Sequence, residues 1–180
     1  MNAKKILIGG EWRSAAESFT VVNPYSGEVI AEVGAANDNE NSEAIVLAES
    51  AARAMRGLAR YEIARGLRKI ADGIERRKRE FAETIAREAG KPINLAVGEV
   101  ERGIATFAWA AGEAERFAGE IVPVDTMATG RGKTAYTKKI PRGVVYGITP
   151  FNFPLNLVAH KVAPALAAGN SIIIKPSDRT

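Results

Sequence analysis

The sequence predicts an α/β fold built round a parallel sheet, with flanking helices and a small antiparallel entry section. Three observations carry this. Two buried-type apolar runs, Val144–Ile148 and Ser171–Lys175, enclose an apolar helical stretch, Leu155–Ala168. Long Ala-rich segments with helical periodicity fill the middle of the chain, and short β-like runs open it. Strands joined through a crossover helix are parallel, because the helix returns the chain to the end of the sheet where the first strand began, and such connections are right-handed.

The entry section spans Lys4 to Val33. Its runs Ile6–Ile8, Phe19–Val22 and Glu28–Val33 are separated by Gly9-Gly10, Asn23-Pro24 and Ser26-Gly27, which is turn chemistry. From Asn39 to about Leu58 the pattern becomes helical, with Asn39 or Ser42 as N-cap. A second helix is expected from Tyr61 to Glu88, where Ile63, Leu67, Ile70, Ile74, Phe81 and Ile85 form one stripe. Gly90 ends it and Pro92 prevents its continuation. A third runs from about Asn94 to Ala118, with Val97, Val100, Ile104, Phe107, Ala111, Ala114 and Ala118 on one face. After Gly130 and Gly132, Thr134–Ile140 alternates as a solvent-facing strand or oligomer contact, closed by Pro141. The expected organisation is therefore residues 1–125 as strands and helices, 126–142 as an arm, and 143–180 as the first βαβ unit of a sheet.

Composition narrows the function. With 46% hydrophobic and 26% charged residues the chain suits a globular protein, and a formal charge of +4 calls for neither nucleic acid nor membrane as partner. The basic run Arg76–Arg79 has Glu75, Glu80 and Glu83 beside it and reads as a solvated face. There is no cysteine, so thiolate metal sites and cysteine nucleophiles are excluded for these 180 residues, and no metal site is expected. The apolar run near the N-terminus, Ile6–Ile8, is too short for a signal peptide, which predicts a cytoplasmic protein.

The most unusual stretch is Ile148-Thr149-Pro150-Phe151-Asn152-Phe153-Pro154. Two prolines bracket an amide at the carboxyl end of a buried strand, where ligand sites lie in open α/β sheets. Residue physics leaves two readings of Asn152: a preorganised hydrogen-bond donor, or a cap for the helix that starts near Pro154. Lys175 likewise reads as a solvated strand end or a ligand contact.

That segment, the apolar helix Leu155–Asn170 after it and Lys175-Pro176-Ser177 together resemble the pattern of the aldehyde dehydrogenases. Upstream, Gly10-Glu11-Trp12, Asn23-Pro24, Ser26-Gly27-Glu28-Val29-Ile30, Glu88-Ala89-Gly90-Lys91-Pro92 and Glu99-Val100 resemble that family's N-terminal motifs. The resemblance implies a Rossmann-type parallel sheet, incomplete here, and oxidation of an aldehyde with NAD or NADP through a cysteine thiohemiacetal. It makes Asn152 the oxyanion-hole donor. Ile148, Thr149, Pro150 and Phe151 border the cofactor, Lys175 bonds the adenosine ribose, and Asp178 stands where a glutamate usually grips the ribose hydroxyls. Ser177 leaves room for a 2′-phosphate. The absence of G-x-G-x-x-G after the first strand fits a family that binds its dinucleotide differently.

His160 and Arg102 match positions lining the aldehyde tunnel, and two cations there suit a semialdehyde with an anionic tail. The plainer alternative pairs Arg102 with Glu99 or another surface carboxylate and makes His160 a satisfied packing residue. The resemblance also implies a homo-oligomer, a dimer or tetramer. Because the sheet is unfinished and the nucleophile is missing, the chain is expected to be the N-terminal part of a longer one and inactive alone. Two other functions stay open: an acyl-phosphate reductase or CoA-acylating relative, and a short non-catalytic protein that binds nucleotide or partner subunits.

Overall fold

The computed structural model describes residues 3–180, so Met1 and Asn2 of the N-terminal segment lie outside the described residues. The chain opens on two antiparallel pairs. β1 (Ile6–Ile8) and β2 (Glu11–Arg13) form a hairpin whose turn residues Gly9 and Gly10 have φ of 61° and 88°. Two successive positive φ angles match the right-handed twist of the strands, and glycine takes them without strain. β3 (Glu17–Val22) pairs with β4 (Val29–Ala35), and both run longer than the sequence pattern indicates.

The helices are α1 (Asp38–Arg56), α2 (Arg60–Arg76), α3 (Lys78–Ala89), α4 (Ile93–Arg116) and α5 (Asn156–Ala167). The cap of α1 is Asn37, not Asn39 or Ser42. Its side chain accepts from Glu40 N–H at 2.9 Å while the Glu40 carboxylate takes the Asn37 N–H at 2.9 Å, a reciprocal capping box. The single helix expected from Tyr61 to Glu88 is two. Arg77 breaks it at φ −109°, ψ 17°, inside the seven-residue gap between Ile74 and Phe81 where no apolar side chain holds the helix to the core. The basic run lies at this break. Arg77 pairs with Glu80 at 2.6 Å, Lys78 with Glu101 at 2.6 Å and Arg79 with Glu83 at 2.5 Å.

One core joins four helices. Leu67, Ala71 and Ile74 of α2, Ala82 and Ile85 of α3, Val100, Phe107 and Ala111 of α4, and Ala159 and Ala163 of α5 are all buried in it. Gly103 of α4 faces Leu155 at the N-cap of α5, where an added Cβ would stand 3.4 Å from Cγ, an ordinary van der Waals contact.

β7 (Val144–Ile148) and β8 (Ser171–Lys175) are parallel, in register from Val144↔Ser171 to Ile148↔Lys175, with α5 as the crossover. Gly169, at φ 79°, ends the helix. Ser171 Oγ donates to Ala48 O at 2.7 Å and so ties β8 to α1. The expected strand Thr134–Ile140 contracts to β6 (Ala135–Tyr136), whose partner is β5 (Ile121–Val122). No helix of the described residues is long and apolar enough to cross a membrane.

Candidate active site

The site forms where β7 ends. Its last residue, Ile148, lies beside Lys175, and the pairing continues one step as Thr149 N–H donates to Lys175 O at 3.1 Å. Thr149 is buried, whereas Ile148 is 63% exposed, Phe151 is exposed, and Pro150 and Lys175 are open to solvent. The carboxyl ends of both strands therefore make an open ledge. Ser177 Oγ accepts the Arg179 N–H at 3.0 Å, the Arg179 guanidinium lies 5.2 Å from the centre of the Phe151 ring, and Asp178 is exposed.

Asn152 is exposed on the turn between Pro150 and Pro154, and its side chain has no hydrogen-bond partner among the described residues. It does not cap the following helix. Glu99 of α4 does so from 56 and 57 residues away: its Oε1 accepts Leu155 N–H at 3.0 Å and Asn156 N–H at 3.2 Å. A carboxylate on a helix N-terminus satisfies donors the helix leaves free and complements the positive end of its dipole.

Lys91 completes the arrangement. Its ammonium pairs with Glu99 Oε2, donates to Asn152 O at 2.9 Å and lies 4.1 Å from the centre of the Phe153 ring. The turn that delivers it needs Gly90, which has φ 60° and no room for a Cβ, since one would stand 2.9 Å from Pro24 Cγ. Arg102 does not pair with Glu99. It stands over the same Phe153 ring, 4.8 Å from its centre, which brings it to the Asn152 segment as a cation–π contact. His160 is exposed on α5, with no hydrogen bond or ion pair among the described residues.

Sequence reasoning missed Lys91 and Glu99 as site residues. A usable signal was present: Glu99 falls on the face of α4 that also carries Ala96, Val100 and Gly103, and a carboxylate on a buried face requires a cation.

Comparison with known proteins then decides the family. The model described as "Aldehyde dehydrogenase family" matches residues 12–180. This chain belongs to the aldehyde dehydrogenase family. It is 43% identical to a 3-sulfolactaldehyde dehydrogenase from Priestia aryabhattai, over 97% of this chain and 36% of the relative. Among solved structures it is similar to aldehyde dehydrogenase 21 from Physcomitrella patens in complex with the reaction product succinate. There the TM-score is 0.94 at 40% identity, over 99% of this chain and 37% of that one. A second aldehyde dehydrogenase-like structure is NADP-dependent glyceraldehyde-3-phosphate dehydrogenase from Bacillus halodurans complexed with NADP. It has a TM-score of 0.94 at 35% identity, covering 99% of this chain and 38% of that one. The chain thus spans little more than a third of the length of the aldehyde dehydrogenases it matches.

Proposed function

We propose that these residues are the N-terminal portion of an NAD(P)-dependent aldehyde dehydrogenase that oxidises a small aldehyde with an anionic tail to its carboxylate. The observation that carries the reading is the Asn152 amide. It is exposed and has no hydrogen-bond partner among the described residues, beyond the carboxyl end of β7 on a turn tied before it by Thr149 N–H to Lys175 O and after it by Leu155 N–H to Glu99.

In this reading a cysteine thiolate from sequence outside these residues adds to the aldehyde carbon, and the carbonyl π pair moves onto oxygen. Asn152 Nδ2–H donates to that oxyanion, a bond stronger in the transition state than in the ground state. The dinucleotide, when bound, accepts the hydride. The residues of the ledge fit such a group: Lys175 supplies a donor and Asp178 an acceptor for ribose hydroxyls, both exposed at and just beyond the end of β8, with Ile148 and Phe151 as apolar walls. Ser177 beside them keeps both NAD and NADP open. Arg102 supplies a positive charge and His160 a hydrogen-bonding imidazole for the tail of the substrate. The names of the relatives, a 3-sulfolactaldehyde dehydrogenase and an enzyme holding succinate, support an anionic tail. The exposed apolar side chains of the β5–β6 ribbon, Ile121 at 79% and Tyr136 at 76% exposed, support assembly with further copies.

The test is NAD(P)H formation by the complete reading frame, with sulfonate- or carboxylate-tailed aldehydes set against neutral ones of equal length. Asn152→Ala is expected to lower kcat by about 10²- to 10³-fold with KM little changed. Full turnover in that variant overturns the assignment of Asn152. Equal use of neutral aldehydes overturns the roles of Arg102 and His160. Turnover that requires phosphate or CoA moves the chain to the acyl-phosphate or CoA-acylating branch.

A further inference from the structure

We infer that Lys91 and Glu99 are positioning residues for Asn152: one buried ion pair fixes the main chain at the Asn152 carbonyl and just after it, and so sets where Nδ2 points. The inference rests on the reading of Asn152 as the oxyanion donor.

The Asn152 side chain has no partner of its own among the described residues, so its direction is governed by the main chain that carries it. That main chain is held at three points. Lys91 Nζ donates to the Asn152 carbonyl at 2.9 Å, and Glu99 Oε1 accepts from Leu155 and Asn156 N–H at 3.0 and 3.2 Å. The three bonds meet in the Lys91–Glu99 pair, whose side chains are 14% and 0% exposed. The pair itself is fixed from outside the turn, by the Gly90 corner and by the buried face of α4.

A buried ion pair is weak evidence of a device for stability, because well-packed apolar residues of the same volume often stabilise as much or more. What these two charges provide that apolar residues cannot is direction. The ammonium bonds a carbonyl and a carboxylate at once, and the carboxylate takes two adjacent N–H groups with one oxygen. The pair is also neutral as a whole. The reacting oxygen can therefore gain negative charge without an uncompensated carboxylate beneath it.

The test uses the full-length enzyme. Lys91→Met is expected to lower kcat by about 10- to 100-fold, as a displacement on the order of 1 Å does, while the NAD(P) dissociation constant stays within about twofold. On an Asn152→Ala background the same substitution is expected to have almost no further effect, because residues that act through one another are not additive. An equal loss on both backgrounds, or no loss on the parent, overturns the inference. Should Lys91→Met fail to fold, Lys91→Gln tests the tie from the other side: a neutral amide can still donate to the Asn152 carbonyl, so kcat is expected to stay within about threefold of the parent, and a loss of about 10-fold or more overturns the inference.

Amide hydrogen exchange in the double variant Lys91→Met/Glu99→Leu, which removes both charges and the acceptor together, supplies a readout independent of turnover. Leu155 and Asn156 are expected to exchange at least about tenfold faster, while Ala159, bonded within the helix to Leu155 O, keeps its rate. Unchanged exchange at Leu155 and Asn156 overturns the tie. If Asn152→Ala leaves kcat intact, the oxyanion reading fails, and the exchange rates alone decide whether the pair holds the turn.

Discussion

One substitution made at two glycines should have opposite signs, and the structure sets both sizes. Gly66 lies on the exposed face of α2, and a Cβ added there meets nothing within 4 Å. Gly66→Ala gains helix propensity and reduces unfolded-state freedom, together stabilising by about 0.5–1 kcal/mol. Gly90 sits at φ 60°, and its added Cβ would stand 2.9 Å from Pro24 Cγ. The left-handed conformation costs an alanine about 1–2 kcal/mol. The clash adds about 1 kcal/mol more, because the ring of Pro24 is rigid and the β3–β4 turn that carries it must shift. Gly90→Ala should therefore destabilise by about 2–3 kcal/mol. Urea denaturation followed by far-ultraviolet circular dichroism measures both variants against the parent chain. Equal midpoints, or a Gly90→Ala midpoint at or above the parent value, would refute the geometry of the corner that delivers Lys91.

Three further outcomes are expected. Ser171→Ala leaves the Ala48 carbonyl without its 2.7 Å donor in a buried place, and should lower stability by about 1–2 kcal/mol in the same denaturation assay. Burial pushes the Glu88 carboxyl up, partly offset by Arg87. A carboxyl raised in the folded state keeps its proton longer there, so its contribution is full below the unfolded carboxylate range and is lost as pH rises through the raised value. Glu88→Gln should thus raise the urea midpoint near pH 7 and leave it almost unchanged near pH 4, and a gain confined to the acid side would refute this. In the full-length enzyme Asp178→Glu, longer by one methylene, should reach the ribose more readily and lower the KM for NAD(P) several-fold; an unchanged KM removes Asp178 from the cofactor site.

The parts of the fold legible in the sequence were those that local pattern dictates. Val144–Ile148 and Ser171–Lys175 are continuous apolar runs closed by Pro and Gly, and they form the parallel pair with matching boundaries. Glu11–Arg13 escaped notice because three residues with one apolar side chain are too few to establish a period, and the hairpin is dictated by Gly9-Gly10 instead. The break at Arg77 was hidden for a different reason. Helix propensity is high on both sides of it, and only the missing apolar contact between Ile74 and Phe81 marks the place where α3 redirects its stripe toward α4.

The site divides along the same line. The Pro150–Pro154 segment announced itself because two prolines round an amide are costly unless they shape something, and it lies at the end of β7. Its supports could not be read locally, since Lys91 is 61 residues from Asn152 and Glu99 is 56 from Leu155. Spacing alone favoured Glu99 with Arg102, one turn apart on α4, but burial decides otherwise. Glu99 is fully buried and needs a partner that comes inside with it, whereas Arg102 stays at the surface and satisfies itself on the Phe153 ring. Salt separates the two kinds of contact. At about 1 M the screening length falls to about 3 Å, so exposed pairs such as Arg68–Glu115 lose most of their attraction, while the Lys91–Glu99 pair is shielded by the helices around it. The surface charges of α2 to α4 can therefore be screened without loosening the turn that carries Asn152.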